Sequence, residues 1–144
     1  METVKPELLK TLAQKASTFS HSPFSKYPVG AALQTEDGAI YTGCNIESSS
    51  YGLTVCAERN AIASAVVNGH KKFRAMAVYS LNGATPCGAC RQVIWDICGN
   101  IPIYIFDQSG HKIKREIKAV TYHRLEVKED KESGLWRAQV IFDI

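Results

Sequence analysis

Val29-Gly30-Ala31-Ala32-Leu33-Gln34-Thr35-Glu36-Asp37-Gly38-Ala39-Ile40-Tyr41-Thr42-Gly43-Cys44-Asn45 is the stretch whose reading decides the fold. Two runs suited to strands, Val29–Thr35 and Ala39–Asn45, flank Asp37-Gly38, a pair that supplies the backbone conformations of a tight hairpin. On the N-terminal side, Pro6 suits the first turn of a helix, and Leu8, Leu9, Leu12, Ala13, Ala16 and Phe19 follow as one apolar stripe. On the C-terminal side, Cys56–Val67 reads as an alanine-rich helix closed by Asn68-Gly69, and Ala75–Tyr79 as a short buried strand. Gly88–Ile97 reads as a further helix stopped by Gly99-Asn100. Ile101–Phe106 is another strand, which Pro102 places near a strand start or a sheet edge. Strands interleaved with helices, without internal repeat or linker, predict one layered α/β domain spanning 1–144.

The chemistry is concentrated in two short segments, Cys56-Ala57-Glu58 and Pro86-Cys87-Gly88-Ala89-Cys90. Three cysteines divided as one plus a C-x-x-C pair suit zinc with one coordination position left open, since no fourth Cys or His stands at a matching spacing. Glu58, two residues after Cys56, is placed to handle protons beside the metal. Both segments fall where a loop enters a helix. There, free N–H groups and the positive end of the helix dipole favour the thiolate that a metal ligand must be. Arg59 and Arg91, adjacent to this machinery, are expected to offset the charge of three thiolates through hydrogen bonds to sulfur; the competing reading is a surface ion pair.

The remaining composition describes an ordinary globular chain. It has 144 residues, 45% hydrophobic and 22% charged, enough to bury a core without disulfides. Lys and Arg number 17 against 14 Asp and Glu, and the net charge of +3 comes without a dense basic cluster, which argues against a nucleic-acid surface. The basic residues near 112–118 read as a solvated face. Five cysteines are an odd count, so a complete disulfide framework is not expected; Cys44 and Cys98 read as small buried packing residues. His21, His70, His111 and His123 are scattered and read as surface or loop residues. With reduced thiols, no signal-peptide pattern and no long apolar run, the expected compartment is the cytoplasm.

From about Tyr27 to Ile105 the chain resembles the small, homotetrameric, zinc-dependent cytidine deaminases. The resemblance lies in Val29-Gly30-Ala31-Ala32, Gly43-Cys44-Asn45-Ile46-Glu47, Ser50-Tyr51, Cys56-Ala57-Glu58-Arg59 and Pro86-Cys87-Gly88-Ala89-Cys90-Arg91-Gln92. It implies a three-layer α/β/α fold around a five-stranded mixed sheet. It also implies hydrolytic deamination of cytidine and deoxycytidine in pyrimidine salvage, and active sites built at subunit contacts of a homotetramer. Residue by residue, it gives zinc to Cys56, Cys87 and Cys90 and proton shuttling to Glu58. It gives a ribose hydroxyl to Asn45 and Glu47, nucleoside packing to the aromatic Tyr27, and the base edge to the backbone after Val55, at Ala57. Turn chemistry is the competing reading for Asn45 and Glu47.

Two departures stand out. The family usually has Phe where this chain has Tyr27. Its members also tend to end in a Leu-Leu-Pro segment followed by a Phe that reaches a neighbouring subunit's site, and nothing here resembles that. Instead Trp136, Ala138, Val140, Phe142 and Ile144 alternate with Arg137, Gln139, Ile141 and Asp143, so 122–144 reads as a β-hairpin extension. It is expected to dock as core, cover a sheet edge, replace the aromatic lid or mediate assembly. Alternatives to cytidine deamination are a deaminase of a modified cytosine nucleoside or of blasticidin S, and a polynucleotide deaminase, which usually has His as first ligand. The third is a non-catalytic zinc-binding interaction module, which would have no use for Glu58.

Overall fold

In the structure, a computed structural model, residues 4–110 are described together with the strand segments 112–115, 126–130 and 135–139. The order is α1 (Pro6–Ser17), β1 (Val29–Thr35), β2 (Ile40–Cys44), a 3₁₀ turn (Tyr51–Leu53), α2 (Ala57–Val67) and β3 (Phe73–Ser80). Then come α3 (Gly88–Cys98), β4 (Ile103–Phe106), β5 (Lys112–Arg115), β6 (Glu126–Asp130) and β7 (Leu135–Gln139). The first five strands form one mixed sheet in the order β2-β1-β3-β4-β5. β1 is antiparallel to both β2 and β3, whereas β3 and β4 are parallel, and α3 is the crossover that a parallel pair requires.

Side-chain alternation divides the sheet into two faces. Ala31, Leu33, Met76, Val78, Ile103 and Ile105 pack with Ala57, Ala61, Ile62 and Ala65 of α2 and Ile94 of α3. Their neighbours Ala32, Ala75, Ala77 and Phe106 pack with Leu9 and Ala13 of α1. The result is the three-layer α/β/α arrangement, with α1 on one face and α2 and α3 on the other. The stripe expected on α1 is partly buried: Leu9, Ala13 and Ala16 are inside, while Leu8 and Phe19 are exposed.

Two glycines let the helices approach closely. A Cβ at Gly30 would come within 1.9 Å of the Ala13 carbonyl oxygen of α1. At Gly43 it would lie 2.4 Å from both the Ala57 oxygen and the Ala61 nitrogen of α2. The helix that begins after Cys56 therefore rests directly on the backbone of β2, and Asn60 Nδ2 donates to the Cys44 carbonyl at 2.8 Å.

Most expected boundaries hold within a residue or two. β3 is longer than Ala75–Tyr79 because pairing with β1 extends to Phe73 and Ser80. β4 starts at Ile103, immediately after Pro102, yet lies inside the sheet between β3 and β5. Pro102 itself contributes its carbonyl, which accepts from Met76 N at 3.1 Å. The C-terminal hairpin is present as β6 paired antiparallel with β7, a two-stranded sheet of its own carrying Trp136 and Ala138. Val140, Phe142 and Ile144 lie outside the described residues, as do His111 and His123. Cys44 and Cys98 are half-buried, not fully enclosed as expected; Cys44 Sγ reaches the Phe19 carbonyl at 3.4 Å, and Cys98 packs against the α2/α3 core. Among the described residues no helix is long and apolar enough to cross a membrane.

Candidate active site

Because β2 and β3 both run antiparallel to β1, they point the same way, and α2 and α3 start from the same end of the sheet. That end, outside the carboxyl ends of β2, β3 and β4, is where open α/β sheets place their ligands. Cys56 is the N-cap residue of α2 and Cys87 the N-cap residue of α3, both with extended backbone, and Cys90 sits one turn into α3, fully buried. The three Sγ atoms lie within 4.8 Å of one another, with Cys56 Sγ and Cys87 Sγ 3.9 Å apart. Two sulfurs on one tetrahedral zinc are about 3.8 Å apart, given a Zn–S bond of about 2.3 Å. The sulfurs are thus already set for a zinc ion.

Electrostatics favour the same occupant. The Cys56 thiol is pulled down to about 5, first by its hydrogen bond with Cys90 and then, against burial, by Arg59 and Cys87. Cys90 is pushed up by the same partnership and by burial. One of the clustered sulfurs ionises at the expense of another, and only a cation among them stabilises several thiolates together. Arg59 Nη2 donates to the Thr54 carbonyl at 3.0 Å and approaches Cys56 Sγ at 3.7 Å. Among the described residues Arg91 makes no hydrogen bond to sulfur, and its buried Nε has no partner there.

Glu58 is only 4% exposed, and burial raises its pKa, with the charge on Cys56 acting in the same direction. A buried carboxyl group held towards its neutral form beside three sulfurs is suited to accept and return a proton. Ala57, next to it, is fully buried.

Of the other expected contacts, Glu47 lines a cavity of about 360 Å³ together with Phe24, Ser25, Tyr51 and Thr54. Glu47 is held by one turn of chain: Phe24 N and Ser25 N donate to Oε2 at 2.9 and 3.1 Å, and the Ser25 hydroxyl donates to Oε1. These donors, Ser25 Oγ foremost, lower the Glu47 pKa against partial desolvation. Asn45 serves the backbone as well. Its Oδ1 accepts from Ser20 Oγ at 2.5 Å and Val29 N at 2.9 Å, and its Nδ2 donates to the Tyr27 carbonyl at 2.9 Å. Tyr27 is half-buried, and its hydroxyl donates to Asn82 Oδ1. Phe24 and Tyr51 meet edge to face with ring centroids 6.5 Å apart.

Sequence reasoning left out Phe24, Ser25 and Asn82. Two of the clamps on Glu47 are main-chain amides, for which no residue type is a signal. His70 also has more company than a scattered surface histidine: Nε2 lies 2.9 Å from the Tyr41 hydroxyl and Nδ1 3.6 Å from Asp37.

An α/β/α fold with three thiolate donors at two helix N-termini and a buried carboxyl beside them defines the class of zinc centre that leaves a position open for chemistry. Comparison with known proteins names that class. The family model of the cytidine and deoxycytidylate deaminase zinc-binding region matches residues 4–104. A cytidine deaminase of Sporosarcina psychrophila is 49% identical over 107 residues, covering 72% of this chain and 79% of that protein. The crystal structure of cytidine deaminase from Burkholderia pseudomallei superposes with a TM-score of 0.77 at 35% identity, covering 79% of this chain and 94% of that one. A blasticidin-S deaminase of Bacillus cereus is 32% identical over 122 residues, covering 78% and 85%. The chain belongs to the cytidine and deoxycytidylate deaminase family. A second model, the archease protein family, matches residues 73–144, so it overlaps the deaminase match over 73–104 and alone covers the C-terminal segment. The part that departs from the deaminase pattern thus has a likeness of its own.

Proposed function

We propose that this protein catalyses the zinc-dependent hydrolysis of cytidine and deoxycytidine to uridine and deoxyuridine with release of ammonia. The observation that carries the reading is the buried Glu58 beside three sulfurs spaced for one zinc ion. Cys56, Cys87 and Cys90 would hold the metal, with Arg59 offsetting the charge of the thiolates. Bound there, zinc supplies a Lewis acid that makes water nucleophilic at neutral pH. Glu58 takes the proton that water gives up as it adds to C4 and delivers it to ring nitrogen N3. It then carries a second proton to the amino group, which leaves as ammonia when the C4 carbonyl forms. The raised pKa of Glu58 suits both directions of transfer.

The sugar belongs in the cavity beside Glu47. Asn45 and Glu47 receive a ribose hydroxyl, Tyr27 packs on the nucleoside, and the backbone at Ala57 meets the base edge. Glu47 still has acceptor capacity after its three clamps, and Asn45 still has one N–H. Phe24, Tyr51 and Leu53 remain well exposed near this cavity, Tyr51 at 78%. Exposed aromatics at a pocket rim are what a neighbouring subunit would cover, which supports a homotetramer with shared sites. The protein acts in pyrimidine salvage in the cytoplasm as one domain, with 122–144 as an extension.

The relative that deaminates blasticidin S motivates a second reading, in which that nucleoside antibiotic or a modified cytosine nucleoside is the substrate. Ultraviolet-monitored turnover over cytidine, deoxycytidine, free cytosine, blasticidin S and cytosine in single-stranded DNA separates the two. Turnover of the two simple nucleosides is expected to dominate; turnover of blasticidin S alone would replace the first reading with the second.

A further inference from the structure

The turn that clamps Glu47 is itself held from outside the cavity. Lys26 has φ +54°, in the left-handed region that a residue with a side chain adopts at a cost, so the turn Phe24–Pro28 needs external support. Tyr27, the next residue, provides three attachments. Its N–H donates to Ser25 Oγ at 3.1 Å, its carbonyl accepts from Asn45 Nδ2 at 2.9 Å, and its hydroxyl donates to Asn82 Oδ1.

Asn82 stands in the turn after β3 that leads to Cys87. That turn is fixed by Ser80, itself 1% exposed, whose Oγ accepts from Ala84 N at 2.9 Å, and by Gln108 N, which donates to the Leu81 carbonyl at 3.3 Å. A continuous set of hydrogen bonds therefore runs from Glu47 through Ser25 and Tyr27 to an anchored Asn82. Removing the anchor leaves the strained turn held by the Asn45 amide and by its own bonds to Glu47.

We propose that Asn82 is a positioning residue for nucleoside binding, acting through the Tyr27 hydroxyl on the turn that aims Glu47 into the cavity. The inference rests on the deaminase reading and assigns a role to a side chain that does not line the cavity. Asn82 touches no reacting atom, so its loss weakens substrate binding and leaves the chemical step alone.

The test is a double-mutant cycle on the full-length, zinc-loaded protein with cytidine. Asn82→Ala and Tyr27→Phe each remove one end of the same bond, so each is expected to raise KM about two- to tenfold, the range of one net hydrogen bond, with kcat changed less than about twofold. The double variant is expected to be no worse than either single one. Asn82→Asp keeps an oxygen acceptor for Tyr27 and is expected to restore KM, and zinc stays bound in every variant. Failure of the unmodified protein to turn over any cytosine nucleoside would overturn the deaminase reading and this inference with it. With that turnover present, the inference alone is overturned if Asn82→Ala leaves KM unchanged, if its effect persists undiminished in Tyr27→Phe, or if it acts by releasing zinc.

Discussion

Gly43→Ala adds a single methyl group at the contact that sets the position of the active-site helix. The new Cβ would lie 2.4 Å from the Ala57 oxygen and the Ala61 nitrogen and 2.9 Å from the Asn60 carbonyl carbon. Ordinary contact begins near 3.4 Å, and the obstructing atoms are helix backbone that cannot rotate aside. Helix α2 must therefore retreat from β2 by about 1 Å, which also stretches the 2.8 Å bond from Asn60 to Cys44. Overpacking of this kind costs about 1–3 kcal/mol, and a rigid obstacle puts the cost at the upper end. At about 3–4 °C per kcal/mol for a chain of this size, Tm should fall by roughly 10 °C. Cys56 and Glu58 move with the helix, and misplacement of about 1 Å can cost about a hundredfold in rate. Thermal unfolding and per-zinc turnover measure the two effects. Gly52→Ala and Gly88→Ala are the controls for Tm, because a Cβ at either site meets nothing within 4 Å. Wild-type Tm and turnover in Gly43→Ala would refute the claim that this glycine seats the helix.

Glu58→Gln should retain zinc and fold while losing about a hundred- to ten-thousand-fold in turnover, checked by metal content and single-turnover rates. Because hydrogen bonds from Ser25 and the neighbouring amides favour the charged form of Glu47, its carboxylate persists as pH falls and is lost only below its ordinary value of 4.5. KM for cytidine should accordingly stay flat from pH 8 down to about 5, and Ser25→Ala should move the acid limb of the KM profile upward. Burial pushes the Cys98 thiol up to about 12, so roughly one molecule in ten thousand carries the thiolate at pH 8. Alkylation followed by mass spectrometry should find Cys98 unmodified until the protein is unfolded.

The hairpin, the helix starts and the clustering of Cys56, Cys87 and Cys90 were legible because each rests on local chemistry. Gly38 supplies the positive φ of the turn between β1 and β2, Cys56 and Cys87 immediately precede helices, and the division of three cysteines leaves a zinc ion one ligand short. What was not legible depends on groups that residue identity does not report. The clamp on Glu47 uses the amides of Phe24 and Ser25, which any residue but proline possesses. Asn45 was expected to face the sugar, yet most of its amide is spent on Ser20, Val29 and Tyr27, the turn chemistry weighed against that role. The half-exposure of Cys44 and Cys98 was missed because apolar neighbours in sequence do not fix depth in the fold. Alternation in the C-terminal segment correctly signalled a strand at Trp136–Ala138, but pairing in a separate sheet is a long-range outcome that a period of two cannot specify.

The proposed function rests on one zinc ion held by Cys56, Cys87 and Cys90. Titrating metal-free protein with zinc while following cytidine loss in the ultraviolet tests it most directly. Turnover should rise linearly and break at one zinc per chain, and Cys87→Ala should lose both the metal and the rate. Full activity in the metal-free protein, or a zinc-loaded protein that leaves cytidine and deoxycytidine untouched, would contradict it.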